Sequence, residues 1–460
     1  MKAWKFITEM TENAVPVVLA QEEQGWESLN DNENSIDAYL KLMWSSHVPG
    51  SAAPESVIIA GIQSAEQLGL DVSEAEELIP SGLQALKDND MMSLQRISGQ
   101  IQNALNRAPK NPSSEYWKFR QYETFEEYES NVHFPSPVKI DLQSEDFNDK
   151  ICAGWLGRLI GGAFGTEIEG YTTENLRAKF GKLDHFIRKP NTYNDDITYE
   201  IALLKTVLEK KGMPSAQDIA LNWLALVPSG WSAEQMALDN LKKGLFPPQS
   251  AYFCNPYREW IGAQMRGAIC GQLCPGNARL AARLAWNDAS ISHTTNGILG
   301  EVFNAVLVSL SFAGNDMRSV LKQTAGLIPS DSEYYSVIRF ALEQCKCSSY
   351  EEARKACQQK YREYNWIHAY PNAAAQVVAL WYGNGDFSRT LELIGDYGQD
   401  VDCNAAQMAV AVGTMKGSAA IDSRWSSPFD DEIITYLRGN KKMSLSRLCR
   451  ETCMAAGSLS

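Results

Sequence analysis

Four glycines in the run ICAGWLGRLIGGAFGTEIEG constrain the fold of this chain more than any other feature. They are spaced three or four residues apart, at Gly154, Gly157, Gly161 and Gly165. This spacing puts them on one face of a helix. Each glycine costs a helix about 1 kcal/mol relative to alanine, so the pattern predicts that a neighbouring segment or a ligand approaches the helix backbone closely. Arg158 and Glu167 and the short apolar run disfavour a membrane dimer motif.

The remainder of the chain carries helical rather than strand periodicity. One example is an apolar stripe formed by Ile197, Ile201, Leu204 and Leu208, which is the pattern of an amphipathic helix. Alternating apolar and polar runs are few, and no Asn-Gly turn joins two β-branched stretches. These observations predict an all-α fold.

Two pairs of acidic residues stand at the starts of predicted helices. Asp195 and Asp196, preceded by Asn194, open one helix, and Asp400 and Asp402 open another in a glycine-flanked turn. A single aspartate there is most simply an N-cap, but adjacent carboxylates also supply the oxygen ligands that hard cations take. If the pairs converge, four carboxylates repel one another unless cations neutralise them. We therefore predict a shared metal site, although the pairs lie far apart in the sequence.

Four motifs in order carry a resemblance to a known family: GRLIGGAFGTEIEG, NTYNDDITYE, ISHTTNGILGEVFNAV and GQDVDCNAAQMAVAVGTMKG. Over roughly residues 149–420 the chain resembles the ADP-ribosylglycohydrolase family, of the dinitrogenase-reductase-activating glycohydrolase type. The resemblance implies a compact all-α domain that holds two divalent metal ions, Mg²⁺ or Mn²⁺. It also implies hydrolysis of the bond between C1″ of ADP-ribose and a protein side chain, or of a related ribosyl compound.

The resemblance implies a metal-ligand set that matches the family motifs position by position, namely Asn194, Asp195, Asp196, Asp400, Asp402 and Cys403. The family typically has threonine where this chain has Asn194, and threonine or serine where it has Cys403. An amide oxygen still suits a hard cation, whereas a thiol is a soft ligand that Mg²⁺ does not favour. Asn404 is an alternative oxygen donor.

The catalytic carboxylate of the family lies in the loop after the glycine helix. Glu169 and Glu174 are both candidates, and Glu169 is preferred because it sits against the glycine face. Where the family has Gly-Asp, this chain has Gly165-Thr166. The resemblance also predicts that a second set of residues, in the segments around Trp260, lines the substrate cleft. The set is Asn255, Ser292, His293, Asn296 and Gly297. A lone histidine or tryptophan in such a segment is also consistent with a purely structural role.

Composition narrows the class of protein. Forty-two Lys and Arg against 56 Asp and Glu give a net charge of −14, which disfavours nucleic-acid binding.

The first residues lack the apolar run of a signal peptide, and no stretch has the length of a membrane span, so we expect a cytoplasmic protein without a membrane partner. The ten cysteines lack disulfide or zinc spacing and are expected to be reduced and partly buried. The expected partner is an ADP-ribosylated protein or a small ADP-ribosyl compound.

The sequence divides into three predicted parts. Residues 1–110 form an N-terminal helical accessory region without clustered functional residues, 111–148 an aromatic connecting arm, and 149–445 the ADP-ribosylglycohydrolase-like domain. Two alternatives to a glycohydrolase stay open. The departures at Asn194 and Cys403 are compatible with a degenerate member that binds ADP-ribose or a nucleotide without cleaving it. A metal phosphoesterase uses similar acids, but no histidine-rich cluster supports it.

Overall fold

The structure, a computed structural model, describes residues 1–25 and 28–459, without the side chains of residues 28–30. It is built almost entirely of helices, which confirms the all-α prediction. The helices are α1 (Ala3–Glu12), α2 (Ser28–Trp44), α3 (Val57–Gln67), α4 (Ser73–Glu76), α5 (Ile79–Asp88), α6 (Met91–Arg107), α7 (Phe125–Glu129), α8 (Glu145–Gly165), α9 (Thr173–Phe180), α10 (Asp195–Lys210), α11 (Ala216–Leu226), α12 (Ser232–Lys242), α13 (Gln249–Tyr252), α14 (Gly267–Leu273), α15 (Ala278–Ala289), α16 (Thr295–Ser311), α17 (Met317–Ala325), α18 (Glu333–Cys347), α19 (Tyr350–Lys360), α20 (Ala369–Gly383), α21 (Phe387–Tyr397), α22 (Val401–Lys416), α23 (Ser423–Ser426) and α24 (Leu445–Leu459).

Short elements connect these helices. Single 3₁₀ turns occupy Gln21–Glu23, Glu115–Lys118, Gln264–Arg266 and Ser418–Ala420. Three antiparallel ribbons pair β1 (Ser46–His47) with β2 (Pro54–Glu55), β3 (Tyr171–Thr172) with β4 (Gly398–Gln399), and β5 (Glu432–Ile434) with β6 (Lys442–Ser444). The second ribbon ties the segment after α8 to the segment before α22.

The glycine face of α8 packs directly on α22. A Cβ added to Gly157 would lie 2.6 Å from the carbonyl oxygen of Ala409, and a Cβ on Gly161 would overlap the backbone of Ala405. From the opposite side, a Cβ on Gly413 of α22 would lie 2.7 Å from the carbonyl oxygen of Ala153. The glycine pattern therefore reflects close packing of two helix backbones, which fixes the N-terminus of α22 beside the C-terminus of α8.

The N-terminal helices have a hydrophobic cluster of their own, centred on the buried side chains of Trp44, Ile62 and Leu94. Val57 of α3 belongs instead to the main core, which spans helices from α7 to α24. In the segment that follows, Tyr128 is fully buried and its hydroxyl donates to the carbonyl oxygen of Leu327 (2.9 Å). The division of the chain near residues 110 and 148 stays a prediction.

Two further features bear on the sequence-based expectations. All ten cysteines lie within the described residues and are unpaired, and six of them are buried. Among helices in the described ranges, none combines the length and apolar character that crossing a bilayer requires.

Candidate active site

The structure brings Asp196 of the first acidic pair, both members of the second pair and a glutamate together. Asp196 lies in the first turn of α10, and Asp400 and Asp402 lie at the start of α22. Carboxylate oxygens of Glu169, Asp400 and Asp402 lie within 4.8 Å of one another. The same limit holds for ligand atoms of Asp196, Asp402 and Cys403. Asp402 is common to both groups, so the two groups form one acidic cluster.

Asn194 leaves both aspartates of the first pair free of the capping role. It is the N-cap of α10, and its Oδ1 accepts from the backbone N–H of Asp196 (2.6 Å). The capping position is thus filled by the amide, so neither aspartate is used as the cap. The Asn194 Nδ2 donates to Oδ2 of Asp402 (3.1 Å) and so links the two helix N-termini. Both carboxylate pairs lie at the positive ends of helix dipoles, which favours negative charge there.

Burial and mutual repulsion act on the ionisation of the cluster. Burial, and secondly the charge of Asp402, raise the pKa values of Glu169, Asp196 and Asp400 well above their ordinary range. The same causes raise the pKa of the half-buried Asp195 to about 6. Carboxylates this close cannot all be ionised without compensating positive charge.

Several oxygens of the cluster have no protein donor. Both carboxylate oxygens of Asp196 and Oδ1 of Asp400 are buried and find no hydrogen-bond partner in the part of the chain that the structure describes. Buried polar atoms are nearly always satisfied, and leaving one unpaired costs about 1–3 kcal/mol, more if it is charged. Unpaired oxygen donors on converging carboxylates fit a divalent cation.

Cys403 adds sulfur to this otherwise oxygen-rich cluster. Its thiol is buried, and its Sγ lies 3.9 Å from Sδ of Met265. The alternative donor, Asn404, already uses both ends of its amide. Its Nδ2 donates to Oδ1 of Asn372 (2.7 Å), and its Oδ1 accepts from Nε2 of Gln376 (3.0 Å). Cys403, rather than Asn404, is therefore the side chain that faces the aspartates.

The three glutamates after the glycine helix occupy different environments. Glu169 is buried against the aspartates. The carboxylate of Glu167 pairs with Nε of Arg188 (2.7 Å) and accepts from its backbone N–H (3.0 Å). Glu174 lies on α9 with a side chain that is 72% exposed, 3.8 Å from Nη1 of Arg354. The structure brings Glu169 into the acidic cluster and does not bring Glu174 into it.

The residues predicted to line a substrate cleft are all buried in a second polar network. Nη2 of Arg266 donates to Oγ of Ser292 (3.0 Å), which also lies 2.8 Å from Nδ1 of His293. Asn255 donates from Nδ2 to the carbonyl oxygen of Ser292 (2.9 Å). Asn296 donates from Nδ2 to a carboxylate oxygen of Glu259 at 3.1 Å.

Gly297, the remaining member of this predicted set, and Trp260 are both packed in the protein interior. Gly297 packs on the backbone of Arg258, since a Cβ there would lie 2.5 Å from its carbonyl oxygen. Trp260 is fully buried. The hydrogen bonds given above for Asn255, Ser292 and Asn296 are made to other protein groups. That these residues line a substrate cleft stays a prediction.

Arg266 is the centre of this network, and sequence reasoning missed it. Its guanidinium pairs with Glu234 (2.8 Å), Asp288 and Glu301 (3.5 Å), all of them buried. Burial raises the pKa of Glu234 to about 7, and the charge of Asp195 contributes to that rise, so the two networks adjoin. Each of these residues stands alone in a helical stretch, so no local sequence signal marks them.

Three comparisons relate this chain to known proteins. The family model described as ADP-ribosylglycohydrolase matches residues 143–455, more than half of the chain. An uncharacterised protein of Archaeoglobus fulgidus is 25% identical over 294 residues, which cover 60% of this chain and 90% of the relative. A solved structure described as an ADP-ribosylglycohydrolase-related protein complex aligns with 68% of this chain and 98% of its own, at 18% identity and a TM-score of 0.48.

Proposed function

Because this chain belongs to the ADP-ribosylglycohydrolase family, we propose that it is a metal-dependent glycosyl hydrolase acting on ADP-ribose. Its substrate is ADP-ribose linked through C1″ to a protein side chain, or a related ribosyl compound. The observation that carries the proposal is the acidic cluster, in which buried carboxylate oxygens without hydrogen-bond partners lie beside Glu169. Within the family, we propose the dinitrogenase-reductase-activating type, which the four sequence motifs resemble.

The donor set fits two divalent ions, Mg²⁺ or Mn²⁺. Asp195, Asp196, Asp400 and Asp402 supply carboxylate oxygens of the kind these ions prefer. When bound, such ions polarise and orient hydroxyl and water oxygens. Asn194 has one lone pair left on its Oδ1 after capping α10. The aspartates would hold the ions between the N-termini of α10 and α22, which the packing of α8 on α22 brings together.

Glu169 is the proposed general acid–base. Its carboxylate lies within 4.8 Å of oxygens of Asp400 and Asp402, next to where ribose hydroxyls would sit. A carboxylate in that position can deliver a proton to the departing glycosidic atom or take one from the attacking water. Glu169, Asp400 and Asp402 are buried, which limits the access of bulk water to the acidic cluster.

The direct test is release of ADP-ribose by the purified full chain. Two substrates separate the linkage classes: a peptide ADP-ribosylated on arginine (N-linked) and one ADP-ribosylated on serine (O-linked). We expect release with Mg²⁺ or Mn²⁺ and none after EDTA treatment, with recovery on adding metal back. Hydrolysis that persists unchanged in EDTA would contradict the metal-dependent proposal.

A second candidate function is binding without cleavage, which Asn194 and Cys403 motivate because both replace a family hydroxyl. Calorimetry with ADP-ribose in the presence of Mn²⁺, run beside the release assay, separates the two. Affinity without release supports the binder, and release supports the hydrolase. The proposed partner in either case is an ADP-ribosylated protein or a small ADP-ribosyl compound, not a nucleic acid or a membrane.

A further inference from the structure

The loop that carries Glu169 is held at its start by the N-terminal region. Residues 46–55 form the β1–β2 hairpin, which lies outside the part of the chain that the family model matches. Gly50 at the hairpin tip has a φ of +104° and lies on Thr166: a Cβ on Gly50 would be 2.5 Å from Cγ2 and 2.6 Å from the carbonyl oxygen of Thr166. No other residue type fits this contact without displacing Thr166.

The hairpin also holds the end of the same loop. A Cβ added to Gly170 would lie 2.6 Å from Cβ of Ala53. The hydroxyl of Tyr171 donates to the carbonyl oxygen of Ser51 (3.0 Å). Glu169 therefore lies between two points at which its loop rests on the hairpin.

The hairpin is itself fixed. The backbone of Val48 bonds with that of Ala53 (2.9 Å) and of Ala52 (2.9 Å), which closes the tip. At the base, Nε1 of Trp231 donates to a carboxylate oxygen of Glu55 (3.1 Å), which anchors the hairpin to the family domain.

Thr166 connects this contact to the acidic cluster. Its Oγ1 accepts from Nδ2 of Asn194 (3.3 Å), and the same Nδ2 donates to Asp402 (3.1 Å). The loop after Thr166 is also held on its inner side: Ile168 is buried and its N–H donates to the carbonyl oxygen of Gly165 (2.8 Å), and Glu167 pairs with Arg188 (2.7 Å). Glu169 N–H donates to the carbonyl oxygen of Gly165 (3.0 Å), and Gly170 N–H donates across to that of Gln399 (3.0 Å). The outer side of the loop is covered by the hairpin.

From these contacts we infer that the β1–β2 hairpin is a positioning element, which presses the Thr166–Tyr171 loop inward and holds the Glu169 carboxylate at the acidic cluster. Its catalytic consequence rests on the proposed function. Within residues 1–25 and 31–110, no side chain belongs to the acidic cluster. The hairpin instead contacts the loop that carries Glu169.

The test compares two glycine variants of the full chain. Gly50→Ala introduces a Cβ that collides with Thr166, whereas Gly244→Ala introduces one into open space at a similarly positive φ of +83°. Both variants strain the backbone, but only the first displaces the loop. The main readout is hydrogen–deuterium exchange of the amides of residues 166–171, which needs no activity. We expect faster exchange there in Gly50→Ala and wild-type exchange in Gly244→Ala.

The second readout is kcat, measured for the same two glycine variants. A displaced general acid–base lowers kcat more than it weakens binding, by roughly 10- to 100-fold for a displacement near 1 Å. We expect this loss in Gly50→Ala, with unchanged Mn²⁺ affinity. In a Glu169→Gln background, adding Gly50→Ala should cause no further loss of kcat. If Gly50→Ala does not fold, Tyr171→Phe removes one contact of the hairpin without adding bulk and is measured in the same way.

The outcomes are distinguishable. Wild-type exchange of residues 166–171 in the folded Gly50→Ala or Tyr171→Phe variant would overturn the inference, as would an equal increase in Gly244→Ala. If the wild-type protein releases no ADP-ribose, the proposed hydrolase function fails, while the exchange comparison still decides whether the hairpin positions the loop.

Discussion

Asn194 connects the two halves of the acidic cluster. It caps α10 through Oδ1 and reaches Asp402 of α22 through Nδ2. A threonine hydroxyl would have to make both contacts from one oxygen atom, whereas the amide makes them from two separate atoms. The amide here holds two helix N-termini at a fixed separation, so the aspartates converge before any ion binds.

Glu169→Gln is the first prediction at this scale. The amide keeps the shape of the side chain but cannot exchange a proton, so we expect hydrolysis to fall by roughly 10²–10⁴-fold. The aspartates are untouched, so Mn²⁺ and ADP-ribose binding should persist, as measured by calorimetry. Glu174→Gln is the matched control, because Glu174 is exposed on α9. An inactive Glu174→Gln beside an active Glu169→Gln would transfer the role to Glu174.

The second residue-scale prediction concerns Cys403. Threonine at this position replaces a soft sulfur with a hard oxygen beside Asp196 and Asp402. We expect Cys403→Thr to bind Mg²⁺ more tightly and to lower the preference for softer ions such as Cd²⁺. Competition calorimetry with the two metals measures this directly. Cys357→Ser, at a buried cysteine of α19, is the control, and an equal change in both variants would exclude a ligand role for Cys403.

Helix packing, at the scale of whole elements, determines where the site forms. The glycine face of α8 lets α22 approach until a Cβ on Gly165 would overlap the backbone of Asp402. Bulkier residues on α8 would separate the two helices and move Asp400 and Asp402 away from α10. The close contact of α8 and α22 is therefore a requirement of the site as well as of the core.

Gly161→Ala tests this packing. The added methyl meets the backbone of Ala405 on α22, which cannot move as a side chain can, so we expect a loss of about 1–3 kcal/mol in the free energy of unfolding. Gly99→Ala is the matched control, because it lies within α6 with open space around it. It should stabilise the protein by roughly 0.5–1 kcal/mol. Urea denaturation of both variants provides the measurement, and two similar shifts would contradict the packing argument.

The local sequence pattern predicted helix α8 but not the helix against which it packs. The spacing of the glycines predicted a close neighbour for α8, because helical periodicity is a local property. It did not reveal whether that neighbour was a helix or a ligand. The answer depends on the small residues Ala405, Ala409 and Gly413, far along the chain, and on the fold that brings them to α8.

Over the whole molecule, buried charge lies in networks that draw on distant parts of the chain. The acidic pairs were visible in the sequence because their members are adjacent. Glu234, Asp288 and Glu301 were not, because each stands alone and they meet only around Arg266. The contact of Gly50 with Thr166 was hidden for the same reason. Sequence patterns predicted the fold class and the acid pairs, while the supporting networks depend on tertiary structure.

The polar network around Glu259 extends through Tyr370 to Glu333 and gives the last prediction, which concerns pH. Glu333 is buried at the start of α18, where its Oε2 accepts from the hydroxyl of Tyr370 (3.1 Å). Burial, and then the charge of Glu259, raise its pKa to about 8. An exposed glutamate in the unfolded chain has a pKa of about 4.3. Between these values the folded protein holds a proton that the unfolded chain has released, so stability falls as pH rises.

Denaturation of wild type and Glu333→Gln between pH 5 and pH 8 measures this effect. In wild type we expect Glu333 to lower the free energy of unfolding by on the order of 1 kcal/mol per pH unit. Glutamine stays neutral, so the free energy of unfolding of the variant should fall less steeply with pH. The stability of the variant relative to wild type should therefore increase toward pH 8. Glu343→Gln on the same helix is the control, because Glu343 is 57% exposed beside Arg339. Equal slopes in wild type and Glu333→Gln would mean that Glu333 is ionised in the folded protein across this range.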